Sequence, residues 1–273
     1  MSILSDKEKL KNRPIGFMDS GVGGLSVLRE AVRVLPAEDF IYFGDSANAP
    51  YGTRTVKEIR DLTFKAVENL MDYDIKALVV ACNTATSAAI TELRTRYKDM
   101  PVIGIEPAVK PAVVCSRGGR IIVMATPMTL RQRKFRELIK TYDNEADIVP
   151  LACEGLMEYV EKGVTDKEGL MAYLDRALGP YVTDDTESIV LGCTHYPFII
   201  KEIKEYLGDR NIVLIDGSKG TSSQLKRRLE EKDLLRDADH EGKVTILNSS
   251  EDPGMIELSK RLLEQKDPEV END

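Results

Sequence analysis

An α/β fold with two open parallel sheets and a cleft between them is what this sequence predicts, on three observations. Short apolar runs rich in Val and Ile recur along the 273 residues, each followed by a turn residue and then a segment of helical periodicity, the alternation of repeated βα units. No long linker, low-complexity run or short tandem repeat breaks that alternation. Two of the runs echo one another at 111 positions: 77–84 ends in Cys82-Asn83-Thr84, and 188–195 ends in Cys193-Thr194-His195, as two half-molecules facing one cleft would.

In chain order the expected strands are 14–19, 40–45, 77–81, 102–106, 120–125, 148–152, 188–192, 212–216 and 243–247. Apolar runs of this kind belong to parallel strands covered on both faces, and nine of them suit two small sheets better than one. The expected helices are 25–35, 56–73, 84–97, 130–141, 154–161, 167–178, 197–207, 223–235 and 255–265. In 56–73, for example, Ile59, Leu62, Phe64, Val67, Leu70 and Met71 return at helical spacing. The first dozen residues and the charged tail 266–273 are expected to fray.

Composition narrows the function. Forty-six acidic residues against 38 basic ones give a net charge of −8, too acidic for default nucleic-acid binding. No apolar run approaches the roughly 20 residues of a membrane span. The opening residues lack the apolar core of a secretory signal, so a cytoplasmic protein is expected. Four cysteines, Cys82, Cys115, Cys153 and Cys193, are too few for a disulfide framework. Only two histidines are present, His195 and His240, which leaves little material for acid–base work near neutral pH or for a His-rich metal site.

Ligands of open α/β sheets bind beyond the carboxyl ends of the strands, and four polar clusters fall there. The first is Asp19-Ser20-Gly21-Val22-Gly23-Gly24, whose spacing fits neither a dinucleotide fingerprint nor a phosphate loop; a tight glycine turn accounts for it equally well. The second runs from Asp45 through Pro50, Tyr51 and Gly52 to Arg54, with amides near Gly52 placed to hold a carboxylate, or simply an ordinary βα loop. The third and fourth are Cys82-Asn83-Thr84 and Cys193-Thr194-His195. Cys115 and Cys153 read as small core hydrophobes. Cys82 and Cys193 instead end strands where helices begin, and a helix N-terminus favours a thiolate. Asp19 and His195 are the neighbours available to take or share a thiol proton. His240 reads as solvated loop. Glu154 is either a further site carboxylate or a first-turn helix acid.

Two thiols approaching a small ligand from opposite sides suit the removal of a proton from one face of a carbon and its return to the other, which is racemisation or epimerisation. General acid–base catalysis in both directions requires one thiolate and one thiol that exchange roles. The ligand must be held rigidly while charge develops on carbon, and Ser20, Asn83, Thr84 and Thr194 offer the hydroxyl and amide groups. No cofactor and no metal is implied by that chemistry.

These motifs, taken in order from about Ile15 to Leu263, resemble the glutamate racemase family. The resemblance implies two pseudo-symmetric α/β halves with the site between them, the C-terminal segment returning to complete the first: 1–102 with 214–273, and 103–213. It implies a cofactor-independent enzyme that makes D-glutamate for peptidoglycan, with L- and D-glutamate as its small-molecule substrates and a homodimer as its assembly. By matched position Cys82 would handle the proton of D-glutamate and Cys193 that of L-glutamate, assisted by Asp19 and His195, with Glu154 near the second side. Asp19, Ser20, Pro50, Tyr51, Gly52, Asn83, Thr84, Thr194 and His195 would bind substrate, and Thr126 and Thr129 would line the pocket. Phe198 stands at a packing position where relatives often carry Leu. Three alternatives stay open. An aspartate or hydantoin racemase would show the same cysteines. Cys82, Cys193 and His195 would make a zinc set without paired spacing. A redox dithiol or a nucleotide-binding regulator would use the same loops.

Overall fold

Apolar runs too short for helices become parallel strands divided between two sheets. The computed structural model describes residues 6–142 and 144–266. Its strands are β1 (Ile15–Asp19), β2 (Phe40–Gly44), β3 (Ala77–Val80), β4 (Val102–Gly104), β5 (Arg120–Ala125), β6 (Asp147–Ala152), β7 (Thr186–Leu191), β8 (Val213–Asp216) and β9 (Val244–Asn248). The first sheet has the order β4-β3-β1-β2-β9 and the second β6-β5-β7-β8, and every pairing is parallel. Strands β1, β2 and β3 are buried at every position, which is why they read as unbroken apolar runs.

The helices are α1 (Asp6–Lys11), α2 (Leu25–Val34), α3 (Val56–Met71), α4 (Asn83–Arg96), α5 (Val109–Cys115), α6 (Pro127–Arg131), α7 (Arg133–Tyr142), α8 (Leu156–Glu161), α9 (Lys167–Leu178), α10 (Ile200–Leu207), α11 (Ser218–Glu231) and α12 (Pro253–Glu264). Local chemistry sets their starts. Thr55 and Glu58 form a reciprocal capping box on α3, Thr126 caps α6 with Pro127 in its first turn, and Asp252 caps α12 ahead of Pro253. None of the described helices is long and apolar enough to cross a membrane.

Strand order places the site. In the first sheet the chain leaves β1 toward β2, then returns to add β3 on the other side of β1. In the second it leaves β5 toward β6, then adds β7 on the other side of β5. Each reversal opens a crevice at the strand carboxyl ends, between Asp19 and Cys82 in one sheet and between Ala125 and Cys193 in the other. A continuous apolar cluster joins the two sheets, from Phe17 and Leu25 through Tyr196 and Phe198 to Ile122 and Leu191. The C-terminal residues return to the first sheet: β9 pairs with β2, and α11 and α12 pack on α2.

Several expectations need correction. The opening residues are not wholly frayed, because 6–11 form α1; it buries nothing, and Lys11 Nζ ties it to Asp233 at 2.8 Å. Residues 1–5 and 267–273 lie outside the described residues. Helix α5 escaped the periodicity reading because its seven residues are too few to show it, and Pro111 falls inside it. Cys115 at its end is exposed rather than core, since α5 buries Val109, Ala112 and Val113 instead. The single helix expected over 130–141 is two, divided at the extended residue Gln132. The segment 197–207 begins as a 3-10 turn, Tyr196–Ile199, before α10. His240 is not simply solvated: its Nε2 lies 3.0 Å from Asp39 Oδ1. Nearby, the fully buried Lys76 ammonium meets Glu38 at 2.5 Å and donates to the carbonyls of Lys11 and Leu234.

Candidate active site

Each site loop begins where a strand stops. Asp19 closes β1, and its carboxylate turns back on the glycine loop, accepting from Gly21 N at 2.9 Å and from Thr194 Oγ1 at 3.2 Å. Cys82 follows β3 and caps α4. Its Sγ accepts from Ala85 N at 3.4 Å and lies 3.5 Å from Ser20 Oγ. Cys193 follows β7, with Sγ 3.6 Å from His195 Nδ1. On the other edge of the same ring, Nε2 is 2.7 Å from Glu161 Oε1, an oxygen that also accepts from Val22 N at 3.0 Å.

Between these loops lies a cavity of about 90 Å³, lined on one side by Ser20, Pro50, Tyr51, Gly52, Cys82, Asn83 and Thr84, and on the other by Thr126, Cys153, Glu154, Cys193, Thr194 and His195. Among the described residues, no lysine or arginine lines it. Tyr51 is anchored from behind, its hydroxyl donating to Asp45 Oδ2 at 2.6 Å. The hydroxyls of Thr84, Thr126 and Thr129 stand within 3.0–3.3 Å of one another.

Three residues stand differently from expectation. Asp19 and Thr129 are fully buried behind the lining, supporting it rather than facing the cavity. Glu154 is at the rim and exposed, and only its main-chain carbonyl is engaged, by Tyr173 Oη at 2.9 Å. The carboxylate that meets His195 is Glu161, at the end of α8. One signal for it was available in the sequence: a helix dipole disfavours an acid in the last turn, so an acid there invites a partner. Cys153 is buried, as expected of a core residue, and also touches the cavity.

The glycines of the first loop make room for this cluster. A Cβ on Gly21 would fall 2.0 Å from Glu161 Oε1, and one on Gly23 would fall 2.3 Å from His195 Nδ1. With the amides of Gly21 and Val22 already given to Asp19 and Glu161, the loop packs a carboxylate and an imidazole and does not cradle a phosphate. For the zinc alternative, the described residues contain no group of three or more His, Cys, Asp or Glu arranged to hold a metal ion.

Burial governs the charges. The Cys82 thiol is pushed up to about 12 by burial and then by the Asp19 charge, which together outweigh Ser20 and the α4 amide. The helix N-terminus therefore does not make a resting thiolate there, contrary to the sequence expectation. Burial likewise raises Asp19. At His195 burial works to lower the pKa, yet the bonds to Cys193 and Glu161 prevail and hold it well above the usual histidine value. At neutral pH the ring is therefore the imidazolium, with Nε2 directed at Glu161 and Nδ1 at Cys193 Sγ. The site thus holds a protonated thiol on one wall and a cysteine paired with an imidazolium on the other.

A family model described as Asp/Glu/Hydantoin racemase matches residues 15–221. The glutamate racemase of Clostridium botulinum (strain Alaska E43 / Type E3) is 56% identical over 254 residues, covering 93% of this chain and 98% of that one. The chain belongs to the glutamate racemase family. A glutamate racemase isoform from Bacillus anthracis superposes with a TM-score of 0.83 at 33% identity, over 94% of this chain and 96% of that one. The Escherichia coli glutamate racemase, solved with L-glutamate and the activator UDP-MurNAc-ala, does so with a TM-score of 0.80 at 30% identity, over 92% and 95%. Membership makes the chain an amino-acid racemase, an isomerase, and gives the two walls of the cavity their sense. Phe198, at the expected packing position, is buried under the Arg29 guanidinium, 5.5 Å from its ring centroid.

Proposed function

We propose that this chain interconverts L- and D-glutamate in the cytoplasm, without a cofactor, supplying the D-enantiomer for peptidoglycan. The observation that carries the mechanism is that Cys82 and Cys193, set at the crevices of two different sheets, line one small cavity. In this reading L-glutamate loses its α-proton to Cys193, whose own proton has passed to His195 Nδ1 while Glu161 stabilises the imidazolium. Cys82, resting as the thiol, delivers a proton to the opposite face. The D-enantiomer runs the same path backwards.

Asn83 Oδ1 is buried with no hydrogen-bond partner and suits the substrate ammonium. With no lysine or arginine among the described lining residues, the carboxylates fall to the hydroxyls of Ser20, Thr84, Thr126 and Thr194 and to main-chain amides near Gly52. The reading keeps two lobes, 1–102 with 214–273 and 103–213, and a homodimer as the assembly. The test is to incubate metal-stripped protein with L-glutamate in deuterated water, following optical rotation and α-proton exchange, with L-aspartate in parallel. Loss of rotation with deuterium gain on glutamate alone supports the reading. Turnover of aspartate alone would move the substrate, and no exchange with either would end it.

A further inference from the structure

Tyr42 lies mid-way along β2 with its side chain fully buried, on the first-sheet side of the molecule, and takes no part in the proton path above. Its phenol donates to the carbonyl of Gly21 at 2.7 Å. That carbonyl and the Val22 N–H belong to the same peptide group. The Val22 N–H donates to Glu161 Oε1 at 3.0 Å, the same oxygen stands 2.7 Å from His195 Nε2, and His195 Nδ1 stands 3.6 Å from Cys193 Sγ. We propose that Tyr42 is a positioning residue for the Cys193 half of the reaction, acting through the Gly21–Val22 peptide, Glu161 and His195 in turn.

A hydrogen bond to a peptide carbonyl polarises the peptide and strengthens its N–H as a donor, and such chains reinforce one another in a dry interior. The phenol therefore sharpens the grip of Val22 on Glu161, and Glu161 sets the imidazole that receives the Cys193 proton. Two further observations fit a built contact. A Cβ on Gly44, two residues along β2, would fall 2.4 Å from the Gly21 carbonyl oxygen, so glycine there leaves the phenol its approach. Burial, with Asp19, Glu161 and Cys82 as the ionisable groups facing the ring, keeps Tyr42 protonated and a permanent donor. The groups facing His195 are Cys193 and Glu161, with the Asp19 charge close by. No proton leaves Tyr42 in the reaction: His195 holds the proton given up by Cys193 Sγ, which takes the substrate α-proton, and Cys82 supplies the proton to the other face.

The inference rests on the racemase reading, and its test separates the two. If the wild-type protein does not interconvert the glutamate enantiomers, the reading fails before Tyr42 is examined. Given wild-type turnover, Tyr42→Phe keeps the ring and removes the donor. The equilibrium constant of a racemisation is one, so kcat/KM falls equally in both directions, by about 2- to 10-fold for one hydrogen bond. The distinguishing readout is the primary isotope effect. It should rise with α-deuterated L-glutamate, whose label Cys193 removes, and fall with α-deuterated D-glutamate. The alkaline limb of the pH profile should also move down as the support of His195 weakens. On a Glu161→Gln background, Tyr42→Phe should add nothing. Unchanged isotope effects and pH limb, equal changes with both labels, or full additivity would overturn the proposal. If Tyr42→Phe does not fold, 3-fluorotyrosine incorporated at Tyr42 keeps ring and hydroxyl and makes a stronger donor. The alkaline limb should then move up, and no movement would equally overturn it.

Discussion

Alkylation offers a direct reading of how the site stores its protons. Cys82 is pushed up to about 12 by burial and by Asp19, so at pH 8 about one molecule in 10,000 carries the thiolate there, against roughly a quarter for a thiol at the reference value. That is about 3.4 decades of lost nucleophile. A more basic thiolate is intrinsically more reactive, and a Brønsted slope of about 0.4–0.5 over 3.5 pH units returns roughly 1.6 decades. The net expectation is iodoacetamide labelling of Cys82 about 50-fold slower than an unperturbed thiol, and slower still because the side chain is buried. Cys115, exposed at the end of α5, is the internal comparison. Peptide-level mass spectrometry over a time course at pH 8 gives both rates in one sample. Cys82 labelling as fast as Cys115 would refute the claim that it rests as the protonated partner, and with it the division of labour between the two walls.

Other outcomes follow from the same geometry. Glu161→Gln should cut kcat/KM on the order of 10- to 100-fold, the worth of a charge-assisted hydrogen bond of about 1.5–3 kcal/mol, whereas Glu154→Gln at the rim should leave it within about 3-fold; steady-state kinetics on both variants decides. Cys193 and Glu161 together raise His195, so their contribution to stability is fully present below the unfolded value near 6.5 and is lost as pH rises through the higher folded value. Denaturant titrations should show that slope in the wild type and a smaller one in Glu161→Gln, where Cys193 remains. Lys76→Met should destabilise the fold by about 3–5 kcal/mol, because it strands the buried Glu38 charge, and the double change with Glu38→Leu should recover much of the loss. Gly23→Ala would set a methyl 2.3 Å from His195 Nδ1 and should abolish turnover, while Gly220→Ala, in α11 with open space around it, should add roughly 0.5–1 kcal/mol of stability.

Much of this was legible in the sequence because parallel strands announce themselves. Buried on both faces, β3 and β7 have no polar alternation to confuse them with helices, and their polar caps, Cys82-Asn83-Thr84 and Cys193-Thr194-His195, fall at strand ends where open sheets place ligands. The loops that meet at the cavity were therefore findable one strand at a time. Glu161 was harder, because its contact with His195 spans 34 residues and two elements, and an acid in the last turn of a helix invites a partner without saying which. Tyr42 was hidden for the opposite reason: an aromatic in a buried strand needs no explanation beyond packing until its hydroxyl is seen on the Gly21 carbonyl. Helix α5 and the exposure of Cys115 were lost to shortness, since seven residues give one apolar face too brief to read.

The pairing of β9 with β2 has a consequence for synthesis. Residues 244–248 complete the edge of the first sheet beside the strand that carries the Asp45–Gly52 loop, and Asn248 and Ser249 then hold that loop through Ser46 Oγ and Ala47 N. A growing chain can assemble β1 to β8 while still attached to the ribosome, but the wall of the cavity that contains Tyr51 is unbraced until residues 244–249 have emerged. Contacts of such long sequence separation form late. Catalytic competence should therefore wait for residues 244–249, and a chain cut short before residue 244 would fold much of its core and turn over nothing.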